Sequence, residues 1–109
     1  MAEAAREGGT AFEALADANR RAILDLLVAS ELSVQQIADA MPISRPAVSR
    51  HLRVLADAGL VAEQREGTRH LFRLQESGLE AVREYLDRVW GESAARFTLF
   101  TENTEPTAG

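Results

Sequence analysis

The chain has 109 residues, 46% of them hydrophobic, and a formal net charge of −5, which fits one small globular domain. No apolar run approaches the ~20 residues of a membrane span, and the start "MAEAAREGGT" lacks the charged and apolar blocks of a secretory signal. Cysteine is absent, which excludes disulfides and thiolate metal sites and makes the cytoplasm the expected compartment.

The organisation is read as a flexible N-terminus over 1–9, one domain over 10–100 and a disordered tail over 101–109, whose sequence "TENTEPTAG" is polar and carries a proline. Thr10–Glu13, Ser33–Gln36 and Ser77–Glu80 each match the S/T-x-x-E/Q capping box, in which a hydroxyl and an acid or amide satisfy orphan backbone donors reciprocally. Asp17 and Ser44 are expected N-caps of two more helices. The first helix is expected from about Thr10 to Ala16. The second lies in "DANRRAILDLLVAS", with Ile23, Leu26 and Leu27 on its buried stripe. The third, "SVQQIADA", turns Val34, Ile37 and Ala38 inward, and Pro42 ends it with a tight connection. The fourth spans about Arg45 to Ala58, closed by Gly59 at the position where a left-handed residue is favoured.

After Gly59 the period changes to two. "LVAEQ-REGT-RHLFRL" predicts a β-hairpin turning at Glu66–Gly67–Thr68, with His70, Phe72 and Leu74 on one side and Arg69, Leu71 and Arg73 on the other. A last helix follows from Gly78 to about Phe100. Four helices, a hairpin and a helix, with a short turn between the third and fourth, make a fold that is mainly α with a small β-hairpin: a winged helix-turn-helix.

The fourth helix carries the chemistry. On a wheel of about 100° per residue, Val48, Leu52, Leu55 and Ala56 gather on a core side, while Pro46, Ser49, Arg50, Arg53 and Asp57 gather opposite. Helix-turn-helix proteins read base edges in the major groove with the start of this helix, and arginine pairs bidentately with guanine. Arg45, Pro46, Ser49 and Arg50 are therefore candidates for base contact. Ser44, His51 and Arg53 are placed for phosphates, and Arg65, Thr68 and Arg69 at the hairpin tip for the neighbouring backbone or minor groove. An arginine face is ordinarily just solvated surface, but here charge is also segregated. Residues 41–74 carry +3, whereas 1–40 and 75–109 each carry −4. A positive middle between negative ends reads as one anion-binding face for double-stranded DNA. All 12 cations are arginine, which coding bias in a GC-rich genome explains better than function, so arginine usage alone settles nothing.

The last helix suggests a partner. About 23 residues span about 34 Å, long for so small a domain. Its apolar stripe of Leu79, Val82, Leu86, Val89, Trp90 and Phe97, with Phe12 of the first helix, therefore predicts a homodimer seam. Two recognition helices about one DNA turn apart would then meet an inverted repeat. No nucleophile–base set or phosphate loop is present, so no enzyme activity and no cofactor are expected. His51 and His70 are lone histidines and not expected metal ligands. The competing reading is a winged-helix protein-interaction module without DNA binding, which the net charge favours and the positive middle disfavours.

"ALADANRRAILDLL", "SVQQIADAMPISRPAVSRHLRVLADAGLV" and "REGTRHLFRL" together resemble the ArsR-type winged-helix repressors over about residues 11–100. The resemblance implies a homodimer through the first and last helices, bound to an operator of dyad symmetry upstream of a regulated gene, often its own. It also implies DNA contacts near Ser44, Arg45, Ser49, Arg50 and Arg53. Metal-sensing members use cysteines near the third helix or Asp/His clusters on the last. This chain has no cysteine, and "LEAVREYLDRVWGESAARF" has no histidine, so it looks closer to a metal-independent branch. An inducer is not identified by these residues.

Overall fold

The computed structural model describes the backbone of residues 10–104 and the side chains of residues 10–91; the segments 1–9 and 105–109 lie outside the described residues. A helical stretch over 10–15 (α1) comes first. It is followed by α2 (Ala18–Ala29), β1 (Leu32–Ser33), α3 (Val34–Asp39), α4 (Arg45–Asp57), β2 (Val61–Glu66), β3 (Arg69–Leu74) and α5 (Ser77–Thr104).

Three helices start where their polar caps dictate. Asp17 Oδ1 accepts the Arg20 backbone N–H at 3.1 Å and opens α2. This N–H is the main reason the Asp17 carboxyl sits below its ordinary range. Desolvation opposes the effect, while the Asn19 N–H and the charges of Arg20 and His51 add to it. Ser33 Oγ accepts the Gln36 N–H at 3.2 Å while Gln36 Oε1 accepts the Ser33 N–H at 2.8 Å, the complete reciprocal box. Ser44 Oγ accepts the Ala47 N–H at 3.2 Å and starts α4, with Pro46 in the first turn where no backbone donor is needed.

Thr10 is the first described residue of α1. The box expected at Ser77 differs. Ser77 is the first residue of α5, and its hydroxyl donates to the Gly59 carbonyl at 3.2 Å instead of capping. The reason is a close junction. Gly59 adopts φ +73°, and its carbonyl also accepts the Gly78 N–H at 2.8 Å. A Cβ on Gly78 would stand 2.3 Å from the Ala58 carbonyl oxygen. The end of α4 and the start of α5 thus meet backbone to backbone.

The sheet has three antiparallel strands in the order β1-β3-β2, not the two expected. β1 pairs Leu32 with Phe72 and Ser33 with Leu71. β2 and β3 are joined by Gly67–Thr68 beyond the Glu66–Arg69 pair. Gly67 has φ +63° and Thr68 a negative φ, the pattern of a type II′ turn, which matches the twist of paired strands. The expected alternation along β3 holds only partly. Leu71 and Phe72 are both buried and Leu74 is exposed, because the middle of the strand is covered on both faces.

The core forms where the apolar stripes converge: Ala14 of α1, Ile23 and Leu27 of α2, Ile37 of α3, Val48, Leu52 and Leu55 of α4, then Leu60, Val61 and Phe72. Full burial of each large side chain contributes about 1.5–3 kcal/mol. The molecule is mainly α with a small sheet. Its last helix runs through 28 residues to Thr104, about 42 Å, so the first four residues of the expected tail are helical.

Candidate nucleic-acid interface

The inward residues of α4 fix which way the rest face. With Val48, Leu52 and Leu55 buried, the residues one and two turns along from Arg45 open onto a cleft of about 560 Å³ between α3, α4 and the β2–β3 wing. Arg45, Ser49, Leu52, Arg53 and Ala56 form one wall, Glu63, Thr68, Arg69, His70 and Phe72 the other, and Ser33, Val34 and Gln35 close the end. Five of the ten residues predicted to meet DNA are thereby brought together: Arg45, Ser49, Arg53, Thr68 and Arg69.

The remaining five are placed differently. Pro46 and Arg50 are exposed but stand round the helix from the cleft wall, on the solvent side. Ser44 is exposed, its oxygen engaged as the cap of α4. Arg65 is exposed on β2 outside the cleft lining. His51 lies on the far flank of the core stripe, about 160° from Arg53 on the wheel. It is half-buried there, with Nδ1 3.5 Å from Nη1 of Arg20, so it does not join the other candidates.

Several contributors lie outside the sequence reading. Arg20 Nε donates to the Ala14 carbonyl at 2.7 Å and Nη2 to the Glu13 carbonyl at 3.0 Å, while Arg21 Nη1 donates to the Leu15 carbonyl at 2.8 Å. These guanidinium groups satisfy the last carbonyls of α1, as cations at a helix C-terminus do. Gln35 accepts from Arg45 Nη1 at 3.2 Å. Glu63 pairs with His70 across the wing, placing one acidic group inside the cleft. The adjacency of the starts of α3 and α4, general to this motif, is the signal that would have pointed to Gln35.

The predicted seam residues divide as well. Leu79, Leu86, Val89 and Trp90 of α5 are 41%, 42%, 43% and 54% exposed, and Phe12 of α1 is 37% exposed. Val82 is a correction: at 8% exposure it is buried within the subunit and offers nothing to a partner. The Phe97 side chain lies outside the described residues. Tyr85, not foreseen, stands edge-on to Phe12 with centroids 5.3 Å apart and to Trp90 at 6.3 Å, linking α1 and α5 in one exposed aromatic row.

Among the described residues no three His, Asp or Glu side chains converge as metal ligands, and no helix is long and apolar enough to cross a membrane. A cation-bearing helix in a helix-turn-helix, flanked by a β wing, defines a winged helix-turn-helix DNA-binding protein.

Comparison with known proteins agrees. A family model described as a helix-turn-helix domain matches residues 15–64. An HTH-type transcriptional regulator of Mycobacterium tuberculosis is 47% identical over 85 residues, 78% of this chain and 79% of that protein. An arsenical resistance operon repressor of Staphylococcus xylosus is 32% identical over 84 residues, 77% and 81% of the two chains. Among solved structures, the homodimeric winged helix-turn-helix DNA-binding domain of a possible ArsR-family regulator from Mycobacterium bovis superposes with a TM-score of 0.66 at 27% identity, covering 99% of this chain and 92% of that one. The chain belongs to the ArsR-type family of winged helix-turn-helix transcriptional regulators.

Proposed function

We propose that the protein is a cytoplasmic repressor that binds, as a homodimer through α1 and α5, an operator of dyad symmetry upstream of a regulated gene, its own among the candidates. The observation that carries this reading is the cleft: Arg45, Ser49 and Arg53 of α4 face Thr68 and Arg69 of the wing, on a chain whose net charge is −5. Arg45 and Ser49, near the start of α4, would reach base edges, and exposed Pro46 and Arg50 would lie beside them in the groove. Arg53, Thr68 and Arg69, with Ser44 and Arg65 at the margins, would hold phosphates. The apolar row of Phe12, Tyr85 and Trp90 supports the dimer, as does the homodimeric state of the Mycobacterium bovis structure. The absence of cysteine supports regulation without a thiolate metal site.

Fluorescence anisotropy on DNA from upstream of the gene, at several salt concentrations and against a scrambled duplex, tests this. Expected is tighter binding to the upstream fragment, with affinity falling steeply as salt rises. Absent or salt-insensitive binding would instead support a protein-interaction module.

A further inference from the structure

The geometry points to Gln35 as a positioning residue that sets the direction of Arg45 and so sharpens base selection; this rests on the reading that Arg45 reaches a base edge. Gln35 is in the first turn of α3 and Arg45 is the first residue of α4. Both line the cleft. The Gln35 side chain is held at both ends. Its Nε2 donates to Asp39 Oδ1 one turn along α3 at 2.7 Å, and its Oε1 accepts from Arg45 Nη1 at 3.2 Å.

This arrangement fixes the orientation of the amide without ambiguity. A carboxylate only accepts and a guanidinium only donates, so the NH₂ must face Asp39 and the carbonyl must face Arg45. Asp39 therefore acts at one remove. It turns the carbonyl of Gln35 toward the next helix while its own charge stays beyond the amide. Arg45 keeps most of its five donors free, and a planar fork held at one corner presents the others in a set direction. Among the described residues no acidic side chain pairs with Arg45, so its charge is not cancelled by the residue that aims it.

An arginine held this way has lost rotamer freedom before DNA arrives. Release of that restraint should weaken binding about threefold to tenfold, the range for immobilising one rotamer-rich side chain at an interface. The loss should fall on selectivity. An unrestrained Arg45 still finds phosphates, so binding to unrelated duplexes should change little.

The test uses the full-length protein and a duplex recovered by wild-type selection from a random library, with single-base variants of it. Gln35→Ala, Arg45→Ala and the double variant are titrated by anisotropy, with thermal melts as a folding control. Expected is that Gln35→Ala flattens preference at the same base pair as Arg45→Ala, with an unchanged melt and unrelated-duplex affinity, and adds nothing in the Arg45→Ala background. Preference lost with Arg45→Ala but kept with Gln35→Ala, or strictly additive effects, overturns the positioning role alone. If Arg45→Ala leaves every base preference intact, the groove reading of Arg45 falls and the inference with it.

Discussion

Gly78→Ala probes the junction that joins the recognition helix to the last helix. The new Cβ would lie 2.3 Å from the Ala58 carbonyl oxygen and 2.9 and 3.0 Å from the Gly59 carbonyl carbon and oxygen. All three neighbours are backbone, so no side chain can swing aside. α5 must shift, which stretches the 2.8 Å bond from the Gly78 N–H to Gly59. Overpacking of this kind costs about 1–3 kcal/mol. Alanine's better helix preference returns at most about 1 kcal/mol, and less in a first turn. The net loss should be about 1–2 kcal/mol. For a domain of this size that lowers the melting temperature by roughly 5–15 °C. Melts of wild type and variant at one protomer concentration measure it, because a dimer's midpoint depends on concentration. A variant as stable as wild type would show that the close approach between the two helices is absent in solution.

Trp90→Ala should raise the dimer dissociation constant about tenfold or more, as loss of an aromatic anchor does; sedimentation equilibrium showing an unchanged dimer would remove α5 as the seam. Arg53→Ala should weaken binding to all duplexes alike and reduce the slope of log affinity against log salt by about 1. Arg50→Ala should instead cost about 1–3 kcal/mol on the selected duplex alone if it reads a guanine, and titrations on matched and mutated duplexes separate the two. The Asp17 carboxyl is held below its ordinary range, so its contribution to stability is present above the ordinary carboxylate range and fades as pH falls through the lowered value. Melts across the acid range should find Asp17→Asn less sensitive there than wild type, and identical acid profiles would disprove the assignment.

What the sequence disclosed is what short-range chemistry determines. Asp17, Ser33 and Ser44 cap their helices through donors three residues away, so the starts of α2, α3 and α4 are visible in the order of residues. Gly59 and the Gly67 turn are local in the same way. β1 was invisible because it is two residues long and takes its identity from pairing with Leu71 and Phe72, far along the chain. Ser77 matched a capping pattern, yet a carbonyl 18 residues earlier captured its hydroxyl. The site divides along the same line. A helical wheel finds Arg45, Ser49 and Arg53 on α4. It cannot find the Gln35 carbonyl that Arg45 meets, nor the guanidinium of Arg20 beside His51. Val82 shows the limit of stripe counting: periodicity separates apolar from polar faces but not a subunit's own core from its partner's.

Ser33 belongs to two structures at once, ending β1 against Leu71 of the wing and capping α3. Through this one residue the closed end of the cleft is tied to the wing, by strand pairing on one side and by the cap of α3 on the other. If α4 and the wing meet a duplex together, as proposed, a cleft closed at that end would favour sequences that deform easily to fit it, even at base pairs no side chain touches.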